Sequence, residues 1–473
     1  MTPEQFRSQG HALIDWIADY RSGLDSESVM STVQPGDIAA MLSKHAPENG
    51  SSAPNLIGKL NEIVLPGITH WQHPRFFNFF PSNGELSSVL GDIASTGLGV
   101  IGLSWESSPA LTEIEQQMMI WMRELFGLSN SWHGAIQDTA STSTFLALLE
   151  AREAASNFSM AAGGLNQSET PLVVYASEYA HSSVPKAIML AGFGADNIRW
   201  VDSDNDFSMK PCALLRAVQQ DKAAGKIPAA VVATCGTTTT TAVDPLNEIA
   251  NIAESENMWF HVDAAMAGSA MVLPECRWMW EGVERADSLV VNAHKWLGVS
   301  FDCSLYFVKD PQHLERVMST DPSYLQSVRD NEVTNLRDWG IPLGRRFRAL
   351  KLWFMLETEG ADSVRQRIRR DIDNAQWLAA QIEEIRDWRV VAPVNLQTVC
   401  IRHEPEGMTP DEIDAHTQKW ARRLNESGIA YVSLSTLNQR WMVRISIGAL
   451  GTERVHLQQA WEKMQEFADH QIK

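Results

Sequence analysis

Between residues 171 and 308 one pattern recurs: a short apolar run, a polar break, a helical stretch, then another apolar run. The runs are PLVVYAS (171–177), NIRWV (197–201), AAVVAT (229–234), MWFHVD (258–263), SLVVNA (288–293) and SLYFV (304–308). They are rich in β-branched and aromatic residues and too continuous for strands with one wet face. PCALLRAVQQDKAAG (211–225) and PLNEIANIAESEN (245–257) between them carry helical periodicity. Strand, helix, strand in alternation folds into an α/β domain with a mostly parallel sheet.

The flanks read differently. Phe6, Leu13, Ile17 and Tyr20 share one face of an N-terminal helix. A polar connection (44–55) and an aromatic patch, HWQHPRFFNFFPSNG (70–84), follow. Ser108 and Pro109 supply a cap and a first-turn proline for a helix that Gly127 ends. Beyond residue 350, helices expected around 361–386, 409–427 and 452–470 alternate with WRVVAP, QTVCIRH, AYVSL and RWMVRISIG, a smaller α+β pattern. The expected division is an N-terminal helical segment (1–84) packing on a partner subunit, a large α/β domain (85–350) and a small α+β domain (351–473).

Composition narrows the function. The 473 residues carry 39 basic and 58 acidic side chains, a formal charge of −19, which argues against nucleic acid as a partner. The one dense basic stretch, LGRRFRALK (343–351), leads into an apolar helix and reads as a domain junction or subunit contact. Five dispersed cysteines, without metal-ligand spacing, point to reduced thiols. There is no signal-peptide layout at the start and no apolar run near the ~20 residues of a membrane span. A cytoplasmic protein, off the membrane, is expected.

Three motif matches mislead. GLGVIG (97–102) fits G-x-G-x-x-G, but a helical stretch precedes it where a dinucleotide site needs a strand. Ser183-Val-Pro-Lys186 and Ser203-Asp204-Asn205 mimic a serine acyl-transferase, yet the chain lacks the K-T-G that such enzymes need. His70 and His73 have ligand-like spacing among aromatic residues and proline, where a structural role outweighs metal binding.

Lys295, in VVNAHKWLG (290–298), reads as a buried lysine at the end of an apolar strand. An ammonium is costly there, whereas a neutral amine can condense with an aldehyde. Pyridoxal phosphate would then require an anion facing its ring nitrogen, and Asp263 closes the strand MWFHVD. Its phosphate needs donors at a helix start, which QDTASTSTFLALLEAR (137–152) provides through Thr139, Ala140 and Ser141; Asn292 could add an amide. His181, just after a strand, could cover the ring. Each feature alone has an ordinary explanation: a cap, a turn, a snorkelling lysine. Their order along one α/β domain is harder to dismiss.

With these residues in place, the chain resembles the pyridoxal-phosphate-dependent aromatic-L-amino-acid decarboxylases. HWQHPRFFNFFPS, GLSWESSPALTEIE, AHSSV, VATCGTTTTTAVDP, HVDAAMAGSA, NAHKWL, FDCS, DPSYLQ and IPLGRRFRALKLWF carry the resemblance. It implies a type I aminotransferase-like fold and a homodimer with active sites at its interface. It makes Lys295 the Schiff-base lysine, Asp263 the partner of the pyridine nitrogen and His181 the stacking ring. Thr139, Ala140, Ser141 and Asn292 surround the phosphate, Thr238 lies near the cofactor, and His294 assists exchange of amines. Tyr324, in DPSYLQ, matches a catalytic-loop tyrosine that protonates the substrate carbon after CO2 leaves. Phe79, Phe80, Pro81 and Ser82, with Ile101 and Leu103 of the partner subunit, line the side-chain pocket.

The resemblance also frames the alternatives. Relatives that make aldehydes differ at the loop tyrosine or the stacking histidine, and this chain keeps both. A dicarboxylate substrate would want a pocket arginine. Ala293, Met266, Leu103 and Ser82 depart from residues common in the animal enzymes, which leaves the choice of aromatic substrate open. Ser82 could bond a ring hydroxyl, so L-DOPA is the first expectation, ahead of 5-hydroxytryptophan, tryptophan, tyrosine and phenylalanine. Asp138, an acid beside the phosphate segment, is expected to point away.

Overall fold

The structure is a computed structural model that describes residues 1–51, 55–165, 170–320, 329 and 332–469. In chain order its strands are β1 (Phe76–Phe77), β2 (His133–Gln137), β3 (Leu172–Ser177), β4 (Ile198–Val201), β5 (Ile227–Thr234) and β6 (Trp259–Asp263). There follow β7 (Ser288–Asn292), β8 (Ser304–Val308), β9 (Trp388–Val390), β10 (Thr398–His403), β11 (Tyr431–Leu437) and β12 (Arg440–Ser446).

Two compact units emerge: Ser82–Gln376 with Ala392–Val399, and Met1–Pro81 with Trp377–Val391 and Cys400–Lys473. These cut the chain differently from the three stretches expected. Residues 1–81 belong with the C-terminal residues because β1 pairs in parallel with β11, Phe76 opposite Tyr431.

The first unit contains a sheet of order β2-β8-β7-β6-β5-β3-β4. Neighbours from β7 through β4 run parallel, and β8 runs antiparallel to both β7 and β2. All six apolar runs fall on β3–β8. Strands β3, β7 and β8 are buried along their whole length, as expected for a sheet covered on both faces. The run missed was β2, HGAIQ, whose glycine and exposed first residue hide its pairing with β8.

Because β2, β3, β5, β6 and β7 point the same way, their C-terminal ends share one edge. Helix Ala140–Ser156 starts at that edge and packs against β5, β6 and β7. Helix Pro109–Phe126 follows its sequence signals: Ser108 Oγ accepts the Leu111 N–H at 3.2 Å, and Gly127 ends it at φ 72°.

The second unit has a sheet of order β1-β11-β12-β10-β9, with helix Pro410–Glu426 against β11, β12 and helix Arg454–Asp469. His70 and His73 are structural here. His70 Nδ1 lies 2.8 Å from the Tyr20 hydroxyl, and His73 Nδ1 accepts the Arg75 N–H at 2.9 Å. The other two decoys dissolve as well: helix Leu86–Leu98 runs into GLGVIG, and Ser183 and Lys186 lie on a short helix, Ser183–Leu190. Among the described residues, no helix is long and apolar enough to cross a membrane.

Candidate active site

The edge formed by the parallel strand ends gathers the residues singled out by chemistry. Asp263 ends β6 and is 5% exposed; its Oδ1 accepts the Ala265 N–H at 3.1 Å. Asn292 ends β7, buried, and its Oδ1 has no hydrogen-bond partner. Thr234, opposite Asp263 at the end of β5, likewise keeps an unpartnered buried Oγ1. Buried polar atoms left without partners are costly, so their clustering marks a place built for a polar group.

Lys295 does not lie in the strand. It sits three residues beyond β7 in the tight turn Ala293–Leu297, with non-helical backbone angles (φ −102°, ψ −109°), and its side chain is only half-buried. Its neighbours His294, Trp296 and Leu297 are buried. His294 Nδ1 accepts the Cys303 N–H at 2.9 Å. Burial, with Lys295 adding to it, lowers the His294 pKa to about 4, so this ring is neutral at pH 7.

His181 follows β3. Part of its ring meets solvent, and loss of water around the rest lowers its pKa; Asp263 opposes that shift and Lys295 reinforces it. Both charges therefore act on the same imidazole. Ser183, buried, donates its N–H to His181 Nδ1 at 3.1 Å, and its hydroxyl lies 2.8 Å from the same nitrogen.

At the start of helix Ala140–Ser156, Thr139 Oγ1 accepts the Thr142 N–H at 3.4 Å as the cap. Asp138 does not point away: its Oδ1 takes the Thr139 N–H at 2.7 Å. That removes the Thr139 amide from the donors available to a phosphate. The first N–H groups of the helix, on Ala140 and Ser141, have no intrahelical acceptor and remain the better candidates. Thr238 lies half-buried in the turn after β5.

The expected pocket residues are divided between the units. Phe79, 49% exposed, stacks on Trp71 at 5.4 Å between ring centroids. Phe80 lies beneath the guanidinium of Arg444, 4.4 Å from the ring centroid; Pro81 is buried. Ser82 and Leu103 are half-buried, and Ile101 is exposed. Tyr324 lies outside the described residues.

The sequence marks Ser183 only as part of a misleading motif, not as a partner of His181, and gives Arg444 no role. Arg444 is buried, donates to the Asn78 carbonyl at 2.7 Å and leaves Nε and Nη2 without partners. An arginine inside an otherwise apolar strand, RWMVRISIG, was the available signal. Among the described residues no group of three or more His, Cys, Asp or Glu side chains is arranged to hold a metal.

A carboxylate, an amine on a turn, a flat ring on which both act and a helix start together suit a phosphorylated aldehyde cofactor. Residues 35–404 match the pyridoxal-dependent decarboxylase conserved domain. Phenylacetaldehyde synthase of Arabidopsis thaliana is 38% identical over 99% of this chain and 97% of its own length. Tyrosine decarboxylase 2 of Narcissus pseudonarcissus is also 38% identical, over 99% and 95%. The solved structure of Oryza sativa TDC with PLP and tryptamine superposes with a TM-score of 0.96 at 34% identity, covering 100% of this chain and 99% of that one. The chain belongs to the pyridoxal-dependent decarboxylases, in the branch that holds aromatic-amino-acid decarboxylases and aldehyde synthases. Its fold is the type I fold of those enzymes, and its cofactor is pyridoxal phosphate.

Proposed function

We propose that the chain decarboxylates an aromatic L-amino acid to the amine and CO2, with L-DOPA as the first substrate to test. The observation that carries this reading is the placement of Asp263, His181 and Lys295 at a single sheet edge, where the carboxylate and the amine both act on the His181 ring. Lys295 would hold the cofactor through Nζ, Asp263 would face the ring nitrogen, and His181 would cover the ring. Ala140, Ser141 and Asn292 would bind the phosphate, with Thr139 contributing through its hydroxyl and Thr238 lying beside the ring. Bound there, the cofactor supplies an electron-accepting ring for the Cα–CO2 bond to break against.

The chain's own residues do the rest. Asp263, buried and held by the Ala265 N–H, keeps its orientation without rearrangement. His181 accepts at Nδ1, so a neutral ring carries its proton on Nε2 and can donate there. Tyr324, with His181, returns a proton to Cα, and His294, neutral, assists the exchange of amines at Lys295. Ser82 is the candidate partner for a ring hydroxyl, within a side-chain pocket assigned to Phe79, Phe80 and Pro81 with Ile101 and Leu103 of the partner subunit.

We assign the working form as a homodimer. Leu86, Leu90 and Ile93 expose one apolar stripe along helix Leu86–Leu98, and Ile101 and Leu343 are exposed too; a patch of this kind suits a subunit contact. The five cysteines, four of them buried, form no disulfide among the described residues, which supports a cytoplasmic setting. The alternative is aldehyde formation, favoured by the likeness to phenylacetaldehyde synthase. Purified protein with pyridoxal phosphate should be given L-DOPA, tyrosine, tryptophan, 5-hydroxytryptophan and phenylalanine separately, with detection of CO2, amine, aldehyde and peroxide. Amine and CO2 without peroxide support decarboxylation. Aldehyde with peroxide supports the alternative.

A further inference from the structure

Arg367 and Asp371 stand one turn apart on helix Ala349–Glu383 and meet the two residues that follow Lys295. The Trp296 indole Nε1–H donates to Asp371 Oδ2 at 2.9 Å, and both side chains are fully buried. Arg367 Nη2 donates to the Leu297 carbonyl at 2.9 Å, and its side chain is 9% exposed. Arg370 lies 3.3 Å from the other Asp371 oxygen. Burial raises the Asp371 pKa, and Arg367, Arg370 and the Trp296 bond oppose that shift.

Before Lys295 the turn is held by His294, whose N–H donates to the Cys303 carbonyl at 3.1 Å and whose Nδ1 accepts the Cys303 N–H at 2.9 Å; after Lys295 it is tied through Trp296 and Leu297 to Asp371 and Arg367. It spans five residues, Lys295 is out of helical geometry, and the Val299 N–H closes it on the Ala293 carbonyl at 3.2 Å. A lysine adds a flexible four-carbon stem, so the location of its amine depends on how firmly its backbone is held. We propose that Arg367 and Asp371 are positioning residues that keep the Lys295 amine in place through Leu297 and Trp296. This rests on the proposed role of Lys295 as the residue that bears the cofactor.

The test compares wild type with Trp296→Phe, Asp371→Leu and Asp371→Asn. Apo-protein is mixed with pyridoxal phosphate and quenched with borohydride at intervals, and the Lys295 peptide is followed by mass spectrometry. Trp296→Phe and Asp371→Leu should attach the cofactor about tenfold more slowly and lose about 10- to 100-fold in kcat, with KM within about twofold. Asp371→Asn, which keeps an oxygen for the indole N–H, should recover most of both. Wild-type attachment rates and kcat in Trp296→Phe overturn the proposal, and that variant answers even where Asp371→Leu does not fold. Failure of Asp371→Asn to recover also overturns it, because the effect would then lie in the helix's charges and not in the contact with Trp296. Absence of cofactor on Lys295 in the wild type is a different result: it overturns the functional reading itself.

Discussion

The backbone N–H of Ser183 points at His181 Nδ1, 3.1 Å away, so this nitrogen must accept. A neutral His181 is thereby confined to the tautomer with its proton on Nε2. One residue, Ser182, separates the ring from the group that orients it, and the orienting group is main chain.

The first prediction concerns that ring. Nitrogen NMR of histidine-labelled protein should find His181 in the Nε2–H form, titrating below the ordinary value of ~6.5, because burial disfavours its charge. His181→Phe keeps a flat face but has no proton to give. It should lower amine formation about 10²- to 10⁴-fold and leave cofactor binding nearly intact. An Nδ1–H signal would remove the argument for an oriented donor.

Asp263 supplies the second prediction. Asp263→Asn preserves shape and the contact with the Ala265 N–H while removing the charge that faces the ring nitrogen. With one preorganised electrostatic group lost, kcat should fall about 10²- to 10³-fold while borohydride still fixes the cofactor on Lys295. Unchanged kcat would mean the carboxylate is only a turn cap.

These residues were legible because each is a chemically unusual group at the end of an apolar run, and strand ends of a parallel sheet meet at one edge. The same logic placed Thr139 at a helix start. What stayed hidden depends on contacts between distant stretches. Asp371 touches Trp296 from 75 residues away and Arg367 reaches Leu297 from 70, which no local pattern encodes. Strand β1 is two residues long and exists only through its pairing with β11. Lys295 was read as lying in the apolar run, whereas the chain leaves the strand at Asn292 and turns. Asp138 shows the limit of composition: an acid beside a phosphate segment looked repelled, yet it serves as a local acceptor.

The third prediction tests the subunit contact. Leu90 is 50% exposed in the middle of the stripe on helix Leu86–Leu98. Burying a leucine contributes about 1.5–3 kcal/mol, and a two-fold interface counts it twice. Leu90→Asp should therefore weaken self-association by about 10²-fold or more, and sedimentation should show a dimer for wild type and monomer for the variant. Two monomers, or two equally stable dimers, would place any interface elsewhere.

The last prediction is about pH and lies behind the site. Glu150, on the helix that begins at Thr139, is fully buried and hydrogen-bonded to the Tyr306 hydroxyl, and its Oε1 has no partner. Burial raises its pKa from 4.5 to about 8, against the Tyr306 bond, which lowers it. Between those two values the folded chain holds a proton that the unfolded chain has released. Stability from this group is thus fully present below 4.5 and is lost as pH rises through about 8. The loss amounts to roughly 3 kcal/mol by pH 7. Glu150→Gln keeps an acceptor for Tyr306 and cannot ionise, so every other titrating group cancels in the comparison. The melting temperature of the variant relative to wild type should climb steadily from pH 5 to pH 8. A constant difference across that range would mean that Glu150 is ionised in the folded protein and that its desolvation is relieved by groups other than Tyr306.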